Sequence, residues 1–316
     1  MKEGQLAVPM VAWLVLAGVM LVGVAVDLLA HRDERGQGRK AAMLWSVAWI
    51  ALALAFGGWI AATLGREAAE DYLTAYLVEK SLSIDNLFIF LVIFSRLRIP
   101  KAEQHRVLQW GILGAFVTRA VFIACGAALL SAWHGVVYVL GASLVYTGIK
   151  TAREQASDGD GHGAGEGRIL PFIRRHLRVT PRLDGHRFFS VEGGRRVATP
   201  LFLALIVIEL TDVLFAVDSI PAVFAVSEEP FIVYASNVFA VMGLRALYLV
   251  LAELLADLKY LRYGLAAILI FAGGKMLTSH VLHLPHLASL VVVVGILLAA
   301  IVPSLVARRR SARVAP

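Results

Sequence analysis

Nine stretches of predominantly apolar residues run through this chain, at positions 7–30, 41–64, 71–95, 107–131, 133–152, 200–226, 231–256, 262–281 and 286–306. Each is close to the about 20 residues that cross the hydrocarbon of a bilayer. Lipid offers no hydrogen bonds, so a spanning segment must pair its own N–H and C=O groups, and a helix does this within one segment. The expected fold is an all-α membrane protein of about nine transmembrane helices. Composition agrees, with 59% hydrophobic and 17% charged residues.

The connectors alternate in charge. They are basic after the first segment (HRDERGQGRK), acidic after the second (REAAED), basic after the third (SRLRIPKAEQHR), neutral after the fourth and basic after the fifth. Acidic SEEP follows the sixth and basic LKYLRY the seventh; the next connector is His-rich and the C-terminus basic. Under the positive-inside rule this pattern predicts an outside N-terminus and a cytoplasmic C-terminus. The formal net charge of +7 resides in these connectors and in Arg308, Arg309, Arg310 and Arg313, so it orients helices and argues against nucleic acid as a partner. The apolar run from Leu6 to Ala30 is longer than a signal-peptide core and is expected to stay as the first helix. The single cysteine, Cys125, lies in an apolar run and reads as a small packed hydrophobe.

Residues 1–70 thus read as two N-terminal helices and 283–316 as the last helix with a basic tail. Between them, 71–152 and 200–282 flank a long connector, 153–199, whose SDGDGHGAGEG run is too polar to fold. That connector is expected to be flexible, cytoplasmic and the place where protein partners would attach.

The two flanking units look like copies. Glu79 and Asp85 are six residues apart on the third segment, and Asp212 and Asp218 six apart on the sixth. Mid-span arginines follow, Arg119 and Arg245, and then Lys150 and Lys275, each two residues after a glycine (Gly148, Gly273) and 31 and 30 residues after its arginine. Units of three helices insert with opposite orientation, so the expected architecture is two inverted three-helix repeats with a site between the third and sixth segments.

A charge at mid-bilayer costs about 2.5 to 3.5 kcal/mol on insertion scales, so Glu79, Asp85, Glu209, Asp212 and Asp218 need compensation. Arg119 and Arg245 offset two of five; a bound divalent cation would offset two more. Residues six apart lie about 120° apart on a regular helix, so convergence calls for a local break. Pro221 predicts one at Asp218 and Ser219, and the repeat predicts another between Ser83 and Asn86. Asn86, Ser219, Asn237 and Lys275 complete the candidate ion path. An all-oxygen ligand set favours Mn²⁺, Mg²⁺ or Ca²⁺ as transported substrate. The competing reading is that the acids pair with Arg119, Arg245, Lys80 or Lys275 and hold helices together. His280, His283 and His286 form a spacing that suits metal capture, but Pro285 interrupts a shared helix face, which favours a solvated loop.

Catalytic motifs are missing: no HExxH, no GxSxG, no Gly-rich phosphate loop and no Gly-x-Gly-Asp of an intramembrane aspartyl protease. The chain is expected not to be an enzyme and to carry no permanent cofactor.

The stretches EKSLSIDNLFIFLVIF, QHRVLQWGILGAFVTRAVFI, HRFFSVEGGRRVATPLFLALIVIELTDVLFAVDSIPAVFAV, FIVYASNVFAVMGLRALYLVL and YLRYGLAAILIFAGGKML resemble the TerC family of integral membrane proteins, especially its Alx-type members. That resemblance implies an inner-membrane protein of the LysE-like transporter group, with Mn²⁺ efflux as its activity and the five acids as its ion path. It also implies a second hypothesis, since the family is associated with tellurite resistance and some relatives look like assembly or metallation partners. In that case the chain would be a membrane scaffold without transport of its own.

Overall fold

The structure, a computed structural model, describes residues 8–30, 39–133, 135–156, 179–180, 183–192, 194–251, 261–278 and 286–314. Ten helices and one hairpin make up these residues. They are α1 (Met10–Ala30), α2 (Arg39–Thr63), α3 (Arg66–Arg96), α4 (Lys101–Ala132), α5 (Val136–Ala156), the strands β1 (Phe189–Glu192) and β2 (Arg195–Ala198), α6 (Pro200–Phe224), α7 (Pro230–Val241), α8 (Leu244–Leu251), α9 (Leu261–Leu277) and α10 (His286–Val314).

Six spans among the described residues are long and apolar enough to cross a membrane: Met10–Asp27, Lys40–Thr63, Lys101–Ala132, Pro200–Phe224, Pro230–Val250 and Leu287–Ser304. Their outer faces carry exposed Leu14, Leu21, Val47, Val117, Val121, Leu214 and Val217, side chains whose natural solvent is lipid. The chain is a multi-pass membrane protein. The 31-residue α3 carries Glu67, Glu70, Asp71, Glu79 and Lys80 and is correspondingly less apolar, while the apolar part of α9 is shorter, Tyr263–Leu277.

Proline and glycine punctuate the bundle. Pro200 and Pro230 open α6 and α7, where a missing N–H costs nothing. Gly65, at φ 100°, turns the chain between α2 and α3. The seventh apolar segment is divided at Gly243, whose φ of 79° suits only glycine. A Cβ there would also lie 2.7 Å from the Trp49 side chain, so conformation and space demand the same residue.

Helix α3 lies at the middle, packed against α2, α6, α7 and α10. Helix α4 packs on α6 and α7, α5 on α9 and α6, α8 on α2, and α9 on α3 and α10. The tightest approach joins α5 to α9: a Cβ on Gly273 would lie 2.6 Å from the Gly141 carbonyl oxygen, and one on Gly148 2.9 Å from the Ala266 oxygen. Between apolar helices in lipid, such backbone-to-backbone packing supplies the cohesion that the hydrophobic effect supplies in water. An aromatic cluster of Phe56, Tyr72, Phe231 and Phe239 seals α2, α3 and α7 together, with Phe56 and Phe239 centroids 4.6 Å apart. Tyr72 donates its hydroxyl to the Ala53 carbonyl at 3.1 Å.

The break expected at Asp218–Ser219 is absent. Helix α6 stays helical through Pro221 to Phe224, and α3 is continuous through Ser83–Asn86. Proline removes one hydrogen bond and bends a helix rather than dissolving it, and here only one further turn remains to be disturbed. The interruption falls instead at Met242–Gly243, in the neighbouring segment. The Gly/Asp/Glu run of the long connector lies outside the described residues; its far end forms the antiparallel hairpin β1–β2, with Phe189 opposite Ala198 and Glu192 opposite Arg195.

Candidate functional site

Arg119 comes from the middle of α4 and is 2% exposed. Its guanidinium donates Nη1–H to Glu79 Oε2 of α3 at 2.6 Å and Nη2–H to Asp212 Oδ1 of α6 at 3.3 Å. One arginine thus ties together the two helices between which the site was expected. Glu79 is completely buried. With two carboxylates facing one guanidinium, the trio retains a formal negative charge when both acids are ionised.

Polar atoms of the trio, and others buried on α3, α6 and α7, are under-satisfied. Glu79 Oε1, Asp212 Oδ2, Arg119 Nε, Ser83 Oγ, Ser219 Oγ and Asn237 Nδ2 are buried and have no hydrogen-bond partner among the described residues. Their neighbours behave differently. Ser81 and Thr211 donate back to the carbonyls of Leu77 and Val207 at 2.6 and 2.5 Å, and Ser236 to Val233 at 3.0 Å. Buried polar atoms are nearly always paired, so the free oxygens on the two carboxylates that share one guanidinium point to an occupant. Asn86 is buried on the same helix as Ser83.

Glu209 lies one turn before Asp212 on α6 and is half-buried. Its carboxylate rests against the α4 backbone at Gly114, where any Cβ would collide with it. The side chains of Asp85 and Asp218 lie outside the described residues, as do His280, His283 and the side chain of His286. Among the described residues, no three His, Cys, Asp or Glu side chains form a ready-made metal cluster.

Three basic residues have partners other than those the sequence suggested. Arg245, expected to offset the central acids, reaches Asp27 of α1 with Nη1 at 3.5 Å from Oδ2. Asp27 borders a cavity of about 30 Å³ that is also lined by Trp49, Gln109 and Gly243, room for about two water molecules. Lys80 donates Nζ–H to the Ala240 carbonyl at 3.1 Å, capping the end of α7 just before the Gly243 break, a place where a cation offsets the helix dipole. Lys275 has the Asp71 carboxylate of α3 as its nearby charge. Asp27 and Asp71 were not singled out from the sequence; a charge inside an apolar segment was the available signal for Asp27.

These features define a multi-pass helical membrane protein with an ion-paired polar centre at the crossing of α3, α4 and α6. Residues 64–312 match the family model described as "Integral membrane protein TerC family", and the chain belongs to that family. A relative from Myxococcus xanthus, "Uncharacterized membrane protein STKORF319", is 44% identical over 300 residues, covering 95% of this chain and 93% of its own. One from Escherichia coli K12, "Putative membrane-bound redox modulator Alx", is 44% identical over 295 residues, covering 90% and 91%. An uncharacterised membrane protein from Rickettsia bellii is 36% identical over 296 residues, covering 93% and 97%. No solved structure matches.

Proposed function

We propose that this protein is a secondary carrier that exports divalent cations, Mn²⁺ foremost, through the polar centre between α3 and α6. One observation carries the reading. At the middle of an apolar bundle two carboxylates share one guanidinium, while one oxygen of each, and the hydroxyl oxygens of Ser83 on α3 and Ser219 on α6, have no partner among the described residues. Carboxylate and hydroxyl oxygens suit a hard cation such as Mn²⁺, Mg²⁺ or Ca²⁺. Glu209, Asp85 and Asp218, on the same two helices, add carboxylates to that path. Arg119 acts as the counter-charge in the empty carrier, holding Glu79 and Asp212 until a cation competes for their oxygens.

Nine spans, an outside N-terminus, a cytoplasmic C-terminus and an inner-membrane location belong to this reading, as do two inverted repeats. Helix packing supports the repeats. Exchanging α3 with α6, α4 with α7 and α5 with α9 turns the contacts α3–α7, α4–α6, α5–α6 and α3–α9 into one another. A pseudo-two-fold axis in the membrane plane would produce that exchange, and rocking one repeat against the other would expose the centre to each side in turn. The proposal involves no enzyme activity, resident cofactor or nucleic acid; the cation is cargo, and partner proteins would meet the 153–199 connector. A thiol–disulfide cycle of the kind a redox name suggests would need a second thiol from elsewhere, since Cys125 is the one cysteine of the sequence.

The scaffold alternative draws on the same Glu79–Arg119–Asp212 ion pair, which also locks three helices together. Mn²⁺ uptake into inside-out vesicles separates the two. The carrier gives uptake that disappears in Asp85→Asn and Asp218→Asn at matched, monodisperse expression. A scaffold gives no uptake above empty vesicles and loses its effect when the connector is deleted.

A further inference from the structure

The hairpin β1–β2 is held where an apolar helix enters the membrane. A single residue, Thr199, separates it from α6, and that residue's Oγ1–H contacts the carbonyls of Arg187 and Phe188 at 2.8 and 3.0 Å. Phe189 packs on Phe202 in the first turn of α6, with centroids 4.4 Å apart. On the α4 side, Phe188 meets Trp110 at 6.5 Å and has the Arg106 guanidinium 5.4 Å from its ring centre, and His186 pairs with Glu103 at 2.8 Å. Trp110 is 51% exposed, in the aromatic position characteristic of a membrane–water interface. These contacts fix the hairpin against the first turn of α6 and the N-terminal part of α4.

Its register sorts the side chains. Residues facing each other across the ladder share a face, so Phe189 and Val191 project with Arg196 and Ala198, and Ser190 and Glu192 project opposite, with Arg195 and Val197. Phe189 is 49% and Val191 68% exposed, and Arg195 and Arg196 are both exposed. Water is a poor environment for two bare apolar side chains on a short strand, whereas the interface takes aromatic and aliphatic groups and pairs arginine with phosphate.

We propose that this face of the hairpin is a lipid-binding surface: Phe189 and Val191 enter the headgroup–acyl boundary while Arg196, on the same face, binds the phosphates of anionic lipids. The hairpin thereby anchors the start of α6, the helix carrying Asp212, to the leaflet. This inference concerns the membrane surface and holds whatever cargo the bundle carries.

The test uses the full chain with Cys125→Ser and Val191→Cys, labelled with a bimane fluorophore and reconstituted in nanodiscs of phosphatidylcholine alone or in equal parts with phosphatidylglycerol. Quenching by lipids spin-labelled near the headgroup, and by iodide from water, reports the depth of the probe. A label at Glu192→Cys, on the opposite face, is the control. The expected result is lipid quenching at Val191 that strengthens with phosphatidylglycerol, with iodide quenching at Glu192 throughout. Arg196→Gln should weaken that dependence about fivefold, and Arg195→Gln, on the opposite face with Glu192, should leave it largely intact. Iodide quenching at Val191 in every lipid overturns the proposal. Lipid quenching indifferent to both anionic lipid and Arg196→Gln overturns it as well, because apolar contact alone would then hold the hairpin. Shielding in native membranes but not in nanodiscs would assign the face to a protein partner instead.

Discussion

Replacing Arg119 with methionine keeps most of the side-chain volume and removes the guanidinium that Glu79 and Asp212 share. Its two hydrogen bonds, at 2.6 and 3.3 Å, are charge-assisted and contribute about 1.5 to 3 kcal/mol each, the longer one at the low end. Breaking a buried pair by deleting one partner costs about 3 to 5 kcal/mol, because an uncompensated charge stays behind. At about 2 °C per kcal/mol for a chain of this size, Arg119→Met should lower the unfolding midpoint by roughly 6 to 10 °C. The sharper expectation is a reversal of sign. In the wild-type background Glu79→Gln takes away the closest partner of Arg119 and destabilises; in the Arg119→Met background the same change removes an unpaired buried charge and stabilises. Melting curves of the four purified variants in one detergent, read as a double-mutant cycle, measure the coupling. Equal shifts of the same sign in both backgrounds would mean that the two side chains do not interact, and the geometry of the polar centre would be refuted.

Three further outcomes follow from packing. Gly114→Ala drives a Cβ into the Glu209 carboxylate and should cost about 1 to 3 kcal/mol of stability, recovered in Gly114→Ala/Glu209→Ala; an unchanged midpoint in the single variant would place Glu209 elsewhere. Asp27→Asn and Arg245→Gln should each lower the melting midpoint, and the pair together by less than the sum, while Mn²⁺ uptake persists; loss of uptake with unchanged stability would return Arg245 to the ion path. Gly273→Val, which puts side-chain atoms against the Gly141 carbonyl, should separate α5 from α9, read as faster proteolysis or failure to insert, whereas Gly274→Ala, where a Cβ meets nothing within 4 Å, should be silent.

Helix positions were legible in the sequence because lipid imposes a simple rule. A run of apolar residues long enough to span must satisfy its backbone internally, and every expected segment begins within about six residues of a helix start in the structure. That Arg119 needs an acid nearby was legible for a related reason, since a mid-span charge has no solvent and needs an opposite charge, but which acids it meets was not. Nor was the partner of Arg245. Asp27 lies 218 residues earlier in the chain, and only the packing of the seventh apolar segment near α1 and α2 brings the two to 3.5 Å. Proline misled the search for a helix break, because the sequence advertises Pro221 whereas Gly243 depends on the nearness of Trp49.

The amino-acid sequence by itself determined that this chain lives in a membrane, where its helices run and that carboxylates lie inside it, because these follow from the cost of placing unpaired backbone and charge in hydrocarbon. Tertiary structure decided which charges meet. It assigned Arg119 to the centre, Arg245 to Asp27 and Lys80 to the Ala240 carbonyl, made room for Glu209 at Gly114, and set the hairpin beside the first turn of α6. The physical reason is that ion pairs and close contacts are short-ranged, so their partners are chosen by how remote helices pack and not by any local pattern along the chain.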